Sequence, residues 1–267
     1  MSRSVASYAL GPSMYAAAVV VALALLHTAG AQNAPSAGAP PAARGSQNPA
    51  APTVAPGAMY ETPGESSTLE ARRIGAAIVA AGFPTPHMVV QVGASTGALL
   101  ETFMESLPTA HGVWIEAITS EHNLPSAKQR LGKFGDRVDF QFSCARRDLS
   151  SGCVLPEGTD VILMDWLSIQ QNLDGMYRVY KAGADKLPSG GWIVNLDHVT
   201  FSDGTFGPLM QMASKGFRPP QEGPPIHYPQ FQVPTADQQL AALRAAGFDA
   251  QVVWQSFSTV LIMGRKK

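Results

Sequence analysis

The chain has 267 residues, 45% of them hydrophobic, and a formal net charge of −1. That length and apolar content suffice for one substantial core, and the near-neutral balance leaves no electrostatic footprint for nucleic acid or an anionic membrane surface. There are two cysteines, Cys144 and Cys153, and six histidines without paired ligand spacing, so neither a disulfide scaffold nor a metal site is expected.

Arg3 is the only charge before an apolar run from Met14 to Leu26, and Ala29-Gly30-Ala31 follows with small residues. Basic, apolar and small segments in that order predict a secretory signal over residues 1–31, cleaved after Ala31. The run falls short of the about 20 apolar residues that span a bilayer. Export to a periplasmic or secreted location is therefore the leading expectation. Retention as an N-terminal anchor is the alternative, and that segment would then be the sole membrane contact. Residues 32–65 are mostly Ala, Pro, Gly, Ser and Gln, with Arg44 the only charge before Glu61 and no aromatic residue before Tyr60. Such a stretch cannot bury enough surface to offset its ordering entropy and reads as a disordered linker. The folded domain is expected over residues 66–267.

Within that domain, Ser67-Thr68-Leu69-Glu70 reads as a capping box opening a helix that Gly82 ends. Strand and helix signals then alternate. Met88–Val92 predicts a strand and Ala98–Leu107 a helix. Gly112–Glu116 is the second strand, and a helix opens at Pro125. Val138–Phe142 and Asp160–Met164 are strands three and four, and a helix carrying Met176, Val179, Tyr180 and Leu187 precedes a fifth strand, Gly191–Leu196. Continuous apolar strands separated by helices imply a parallel sheet covered on both faces. A second capping box, Thr235 to Gln238, opens a helix ending at Gly247. Phe248–Ser256 and Thr259–Gly264 follow with almost nothing between them. They must pair as an antiparallel hairpin, since a parallel pair needs a long crossover. The expected architecture is α/β: a Rossmann-like, doubly wound, seven-stranded sheet, mostly parallel and closed by a C-terminal antiparallel hairpin.

The turn after the first strand carries the chemistry. Gln91-Val92-Gly93 leads into small residues up to Gly97 and then directly into a helix. That arrangement brings backbone N–H groups and a helix N-terminus against a ligand. In open sheets of this kind, ligands sit beyond the carboxyl ends of the strands. Glu116 ends the second strand nineteen residues after Gly97, placed to accept hydrogen bonds from a pair of ribose hydroxyls.

On these residues the domain resembles the class I S-adenosylmethionine-dependent methyltransferases. VVQVGASTG is similar to the family's first motif, with Gly93 and Gly97 matching and Ser95 standing at the middle glycine. Asp160–Gln170 (DVILMDWLSIQ), Lys186–Asp197 (KLPSGGWIVNLD) and Leu243–Val253 (LRAAGFDAQVV) look like its fourth-strand motif, its turn into strand five and the approach to its terminal hairpin. The resemblance implies S-adenosylmethionine as cofactor, held by Gln91, Gly93, Ala94, Ser95, Gly97, Glu116, Cys144, Ala145 and Asp165. Three of these depart from the family pattern. Gln91 stands for the acidic residue near the cofactor's amino group. Ser95 stands for a glycine. Cys144 stands where an aspartate commonly reads the adenine, with the Ala145 backbone as a partial substitute.

Asp165 and His198 are the candidate catalytic residues. Asp165 follows strand four at the crevice, and Asp197-His198 follows strand five as an acid/base pair, since an imidazole titrates near neutral pH. Trp166 is either a pocket wall or a packing residue. The six prolines of Phe217–Pro234 suggest a stiffened substrate lid, and Cys144 could pair with Cys153 in an oxidising compartment.

The expected activity is methyl transfer to a small-molecule acceptor. Export pulls against it, because the methyl donor is made in the cytosol. A catalytically silent binding module on the same scaffold is therefore the competing reading. A nicotinamide oxidoreductase fits less well, because the closing hairpin is foreign to it.

Overall fold

The computed structural model describes residues 67–83, 85–86, 88–168, 171–201, 208–209, 212–213 and 233–267. The expected export signal, the linker and most of the proline-rich segment lie outside the described residues.

Helix α1 spans Leu69–Gly82 and strand β1 Met88–Val92. They are followed by α2 (Ala98–Ser106), β2 (His111–Ala117), α3 (Leu124–Leu131), β3 (Val138–Cys144) and β4 (Thr159–Asp165). Helix α4 (Leu173–Lys186) leads into β5 (Trp192–His198), and α5 (Ala236–Ala245) into β6 (Phe248–Ser256) and β7 (Thr259–Lys266). The seven strands form one sheet in the order β3-β2-β1-β4-β5-β7-β6. Strands β1 to β5 pair in parallel, and β7 runs antiparallel to both β5 and β6.

The continuous apolar runs are explained by burial on both faces. Val90 and Val92 of β1, Ile162 and Met164 of β4, and Val260 and Ile262 of β7 point into one core with Met176, Val179 and Tyr180 of α4 and Leu243 of α5. Their neighbours Val89, Val161, Leu163, Leu261 and Met263 point the other way, into a core with Val79 of α1, Leu99, Phe103 and Met104 of α2, and Leu131 of α3. Period-two alternation thus persists, but both phases are apolar.

The two capping boxes fare differently. At α5 the box forms: the Thr235 hydroxyl accepts the Gln238 amide at 3.2 Å, and the Gln238 side chain accepts the Thr235 amide at 2.9 Å. At α1 the helix starts one residue late for the Ser67–Glu70 box. Thr68 takes the cap position and makes no side-chain capping bond. The third helical residue is then Ala71, which has no carboxylate to return a bond, and Glu70 instead accepts from the Trp254 indole at 3.2 Å.

The order in which strands are added to the sheet reverses between β1 and β4, which are parallel neighbours although β2 and β3 intervene in sequence. The crevice beyond their carboxyl ends is where such sheets hold ligands. The sheet itself depends on β7, whose residues Val260 to Met263 are at most 2% exposed. Ile262→Ala should destabilise the domain by about 2–5 kcal/mol and Ile262→Val by about 0.5–1.5 kcal/mol, as read from urea unfolding. Equal, small losses would contradict this packing.

Candidate functional site

The turn between β1 and α2 is built on backbone conformations that favour small residues. Gly93 has φ +66°, Ser95 φ +47° and Gly97 φ +78°. A Cβ at Gly97 would lie 2.8 Å from Leu131 Cδ1, so this glycine lets α2 close onto α3. A Cβ at Gly93 would lie 2.7 Å from the backbone carbonyl oxygen of Arg147. The close approach expected of a ligand is thus made here by the chain itself.

Glu116 lies at the end of β2 with no exposed surface. One carboxylate oxygen accepts the Ser95 amide at 2.6 Å and Asn123 Nδ2 at 3.4 Å. The other accepts the Ala117 amide at 3.2 Å and Arg147 Nε at 3.2 Å. Arg147 also donates from Nη2 to the Gly93 carbonyl at 2.9 Å. A single guanidinium therefore bridges the acidic end of β2 and the start of the glycine turn. The Ser95 carbonyl accepts from the Trp114 indole at 2.9 Å, which fixes the turn from the β2 side.

Asp165 ends β4. Its Oδ2 accepts Gln91 Nε2 at 3.3 Å, whereas its Oδ1 is buried without a hydrogen-bond partner among the described residues. Burial pushes this carboxyl up to about 7, Arg147 pulls it down, and Glu116 and Asp197 add to the rise. A carboxyl that titrates near neutrality and has one free oxygen at the crevice can take or give a proton at working pH. The next residue, Trp166, has φ +53°, a strained conformation for a bulky side chain. Its ring sits 3.9 Å, centroid to centroid, from the His198 imidazole.

Four sequence-based expectations change. Gln91 is fully buried. Its Oε1 accepts the Leu100 amide of the first turn of α2 at 2.8 Å, so it caps that helix rather than presenting an amide to a ligand ammonium. Ala94 is likewise buried, in the core below the turn. Cys144 is joined to Cys153 in a disulfide and is 1% exposed, so its sulfur offers no thiol to an adenine, while Ala145 beside it is exposed. Asp197 and His198 do not form a side-chain pair. The Asp197 carboxylate turns inward to the Ser168 amide (3.0 Å), the Ser168 hydroxyl (2.7 Å), Asn195 Nδ2 (3.0 Å) and the backbone amide of His198 (2.8 Å). Burial raises Asp197 to about 6 against the hydrogen bonds from Ser168, Asn195 and His198. The His198 ring packs against Trp166 at the crevice.

Arg147 and Ser168 were not singled out from the sequence. Three carboxylates, Glu116, Asp165 and Asp197, end strands at one crevice, and that convergence calls for a cation. The Arg146-Arg147 pair just after β3 was the available signal. Behind the site, Tyr180 of α4, Asn195 of β5 and Gln239 of α5 form a buried network that reaches Asp197 through Asn195. It fixes both helices relative to the strand end.

The sequence matches no protein-family model and no curated protein. Solved structures do match. The apo form of the S-adenosylmethionine-dependent methyltransferase SibL aligns with TM-score 0.56 at 16% identity, over 75% of this chain and 56% of that one. Human N-acetylserotonin methyltransferase in complex with S-adenosylmethionine aligns with TM-score 0.53 at 20% identity, over 76% and 53%. An O-methyltransferase family protein from Burkholderia thailandensis aligns with TM-score 0.54 at 15% identity, over 76% and 58%. The chain has the fold of the S-adenosylmethionine-dependent methyltransferases. It spans between 53% and 58% of the length of these three proteins.

Because the folded Asp165 and Asp197 bind their protons more tightly than ordinary carboxyls near pH 4, their contribution to stability is full below about pH 4 and is lost as pH rises toward 7. Asp165→Asn should remove part of that loss. Between pH 4 and 7 the wild type should lose on the order of 2 kcal/mol more unfolding free energy than the variant. Urea denaturation across that range measures it, and parallel curves would show that the carboxyl does not titrate as described.

Proposed function

We propose that this protein transfers a methyl group from S-adenosylmethionine to a small-molecule acceptor. The observation that carries the reading is the buried Glu116 carboxylate at the end of β2, bound to the Ser95 amide of the glycine turn. The donor set fits the cofactor. Glu116 can accept two ribose hydroxyls, and Asp165 Oδ1, buried and unpaired among the described residues, can accept from a primary ammonium. When bound, S-adenosylmethionine supplies a methyl group already made electrophilic by its sulfonium.

The protein's part is then alignment more than activation. Glu116 and the turn fix the nucleoside end. Asp165, kept ionised by that ammonium, orients the amino-acid end, and His198 at the neighbouring strand end is the group placed to receive a proton from a hydroxyl or amine acceptor. His198 and Trp166, in ring contact at the neighbouring strand ends, form the wall against which a planar acceptor would lie. Structural similarity to the methyltransferase SibL and to human N-acetylserotonin methyltransferase supports the reading at the level of the fold.

We propose independently that the protein is exported, although a methyl donor made in the cytosol pulls against that address. Export is supported by the basic, apolar and small order of residues 1–31 and by the Cys144–Cys153 bridge, since disulfides persist in oxidising compartments. A second reading, a catalytically silent binding module, is favoured by the Arg147–Glu116 ion pair (3.2 Å) at the expected ribose position.

Titration calorimetry of the purified protein with S-adenosylmethionine, S-adenosylhomocysteine and NAD separates the two. The first two should bind and NAD should not. Glu116→Gln should weaken binding about tenfold or more, the worth of a charge-assisted hydrogen bond. Undiminished affinity in Glu116→Gln would remove the ribose from this position, and no binding of any ligand would leave the silent reading.

A further inference from the structure

The residues that would receive the ribose are already satisfied from within. The Glu116 carboxylate has four donors: two backbone amides, Asn123 and Arg147. The amides belong to the turn and to β2 itself, and they stay with the carboxylate whatever binds. Asn123 lies at 3.4 Å. Arg147 is the charged donor. It comes from a different segment and is about one-third exposed, with 32% of its side chain reached by solvent. It has room to leave.

Its position excludes a ligand twice over. The guanidinium holds the lone pairs that a ribose diol needs, and its second bond, to the Gly93 carbonyl at 2.9 Å, draws the segment onto the turn. There the Arg147 carbonyl fills the space that the missing Cβ of Gly93 leaves open. The segment is also tethered at both ends. Cys144 pairs with Ala117 in the sheet and its carbonyl accepts the Ile118 amide at 3.1 Å. On the far side, Leu149 is 1% exposed in the core and Cys153 closes the bridge back to Cys144. Asp148 adds bonds to the Ser150 hydroxyl at 2.6 Å and to Gln171 at 3.2 Å. Side-chain rotation can release Arg147, but its backbone stays nearby and the side chain can re-engage.

We infer that Arg147 is an internal competitor for the ribose subsite, so that it sets the affinity for the nucleoside by closing on Glu116 whenever the site is empty. The inference rests on the proposed binding of S-adenosylmethionine. Apparent affinity is the intrinsic affinity multiplied by the fraction of molecules with the site open. Removing the competitor therefore tightens binding even though it weakens the fold. A residue with a merely structural role gives the opposite result, since its loss loosens the site and the affinity together.

The test is calorimetry with S-adenosylhomocysteine on wild type, Arg147→Ala, Arg147→Met and Glu116→Gln, alongside urea denaturation of each. Arg147→Ala should bind roughly threefold to thirtyfold more tightly than wild type while unfolding at lower urea. Arg147→Met, which keeps an apolar stem over the turn, should show the same direction of change in affinity. Equal or weaker binding by both Arg147 variants would overturn the competitor and leave the cofactor assignment standing. Absence of binding by every protein, the Arg147 variants included, would overturn the competitor together with the cofactor assignment.

Discussion

A fully buried carboxylate is tolerated only where donors surround it, and Glu116 meets that condition at the junction of β2 with the glycine turn. Its bond to the Ser95 amide holds the turn in a conformation that three positive φ values would otherwise disfavour in part, because Ser95 is not a glycine. From that contact the rest of the crevice follows. The turn positions the start of α2, the Trp114 indole reads the Ser95 carbonyl from below, and Arg147 is drawn in to balance the charge. Neutralising Glu116 would therefore disturb the loop, the helix start and the segment after β3 together.

The scaffold was legible in the sequence because its signals are local and mutually consistent. VILM and VWIE read as strands buried on both faces, and the closeness of Phe248–Ser256 to Thr259–Gly264 forces a hairpin, whose second strand runs on to Lys266 in the structure. The Thr235 box formed because Gln238 falls at the third helical residue, whereas the Ser67 box failed because α1 begins one residue later than the motif requires. The position of Glu116 was legible too, since strand-end spacing is set by the fold.

What the sequence did not disclose is which partner each polar group chooses. Gln91 could face a ligand or cap α2, and the unsatisfied Leu100 amide decided for the cap. Asp197 could orient His198 or hold the β4 loop. Two donors on Ser168, at 2.7 Å and 3.0 Å, drew it inward. Arg147 was hidden for a related reason: its role depends on a contact with a residue 54 positions away, which no local pattern encodes. Satisfaction of buried hydrogen bonds, a global property, overruled the roles suggested by position alone.

The placement of β7 has a consequence for how this chain comes to be folded. The strand latest in sequence sits between β5 and β6 rather than at a margin. During synthesis, the preceding six strands emerge with a gap where their neighbour belongs, and β6 has no partner until the ribosome has translated Thr259–Lys266. Native hydrogen-bonding across that gap must await the synthesis of β7. Until then β5 keeps an unpaired edge and β6 stands alone, so a chain truncated before Thr259 would expose both to pairing with other molecules.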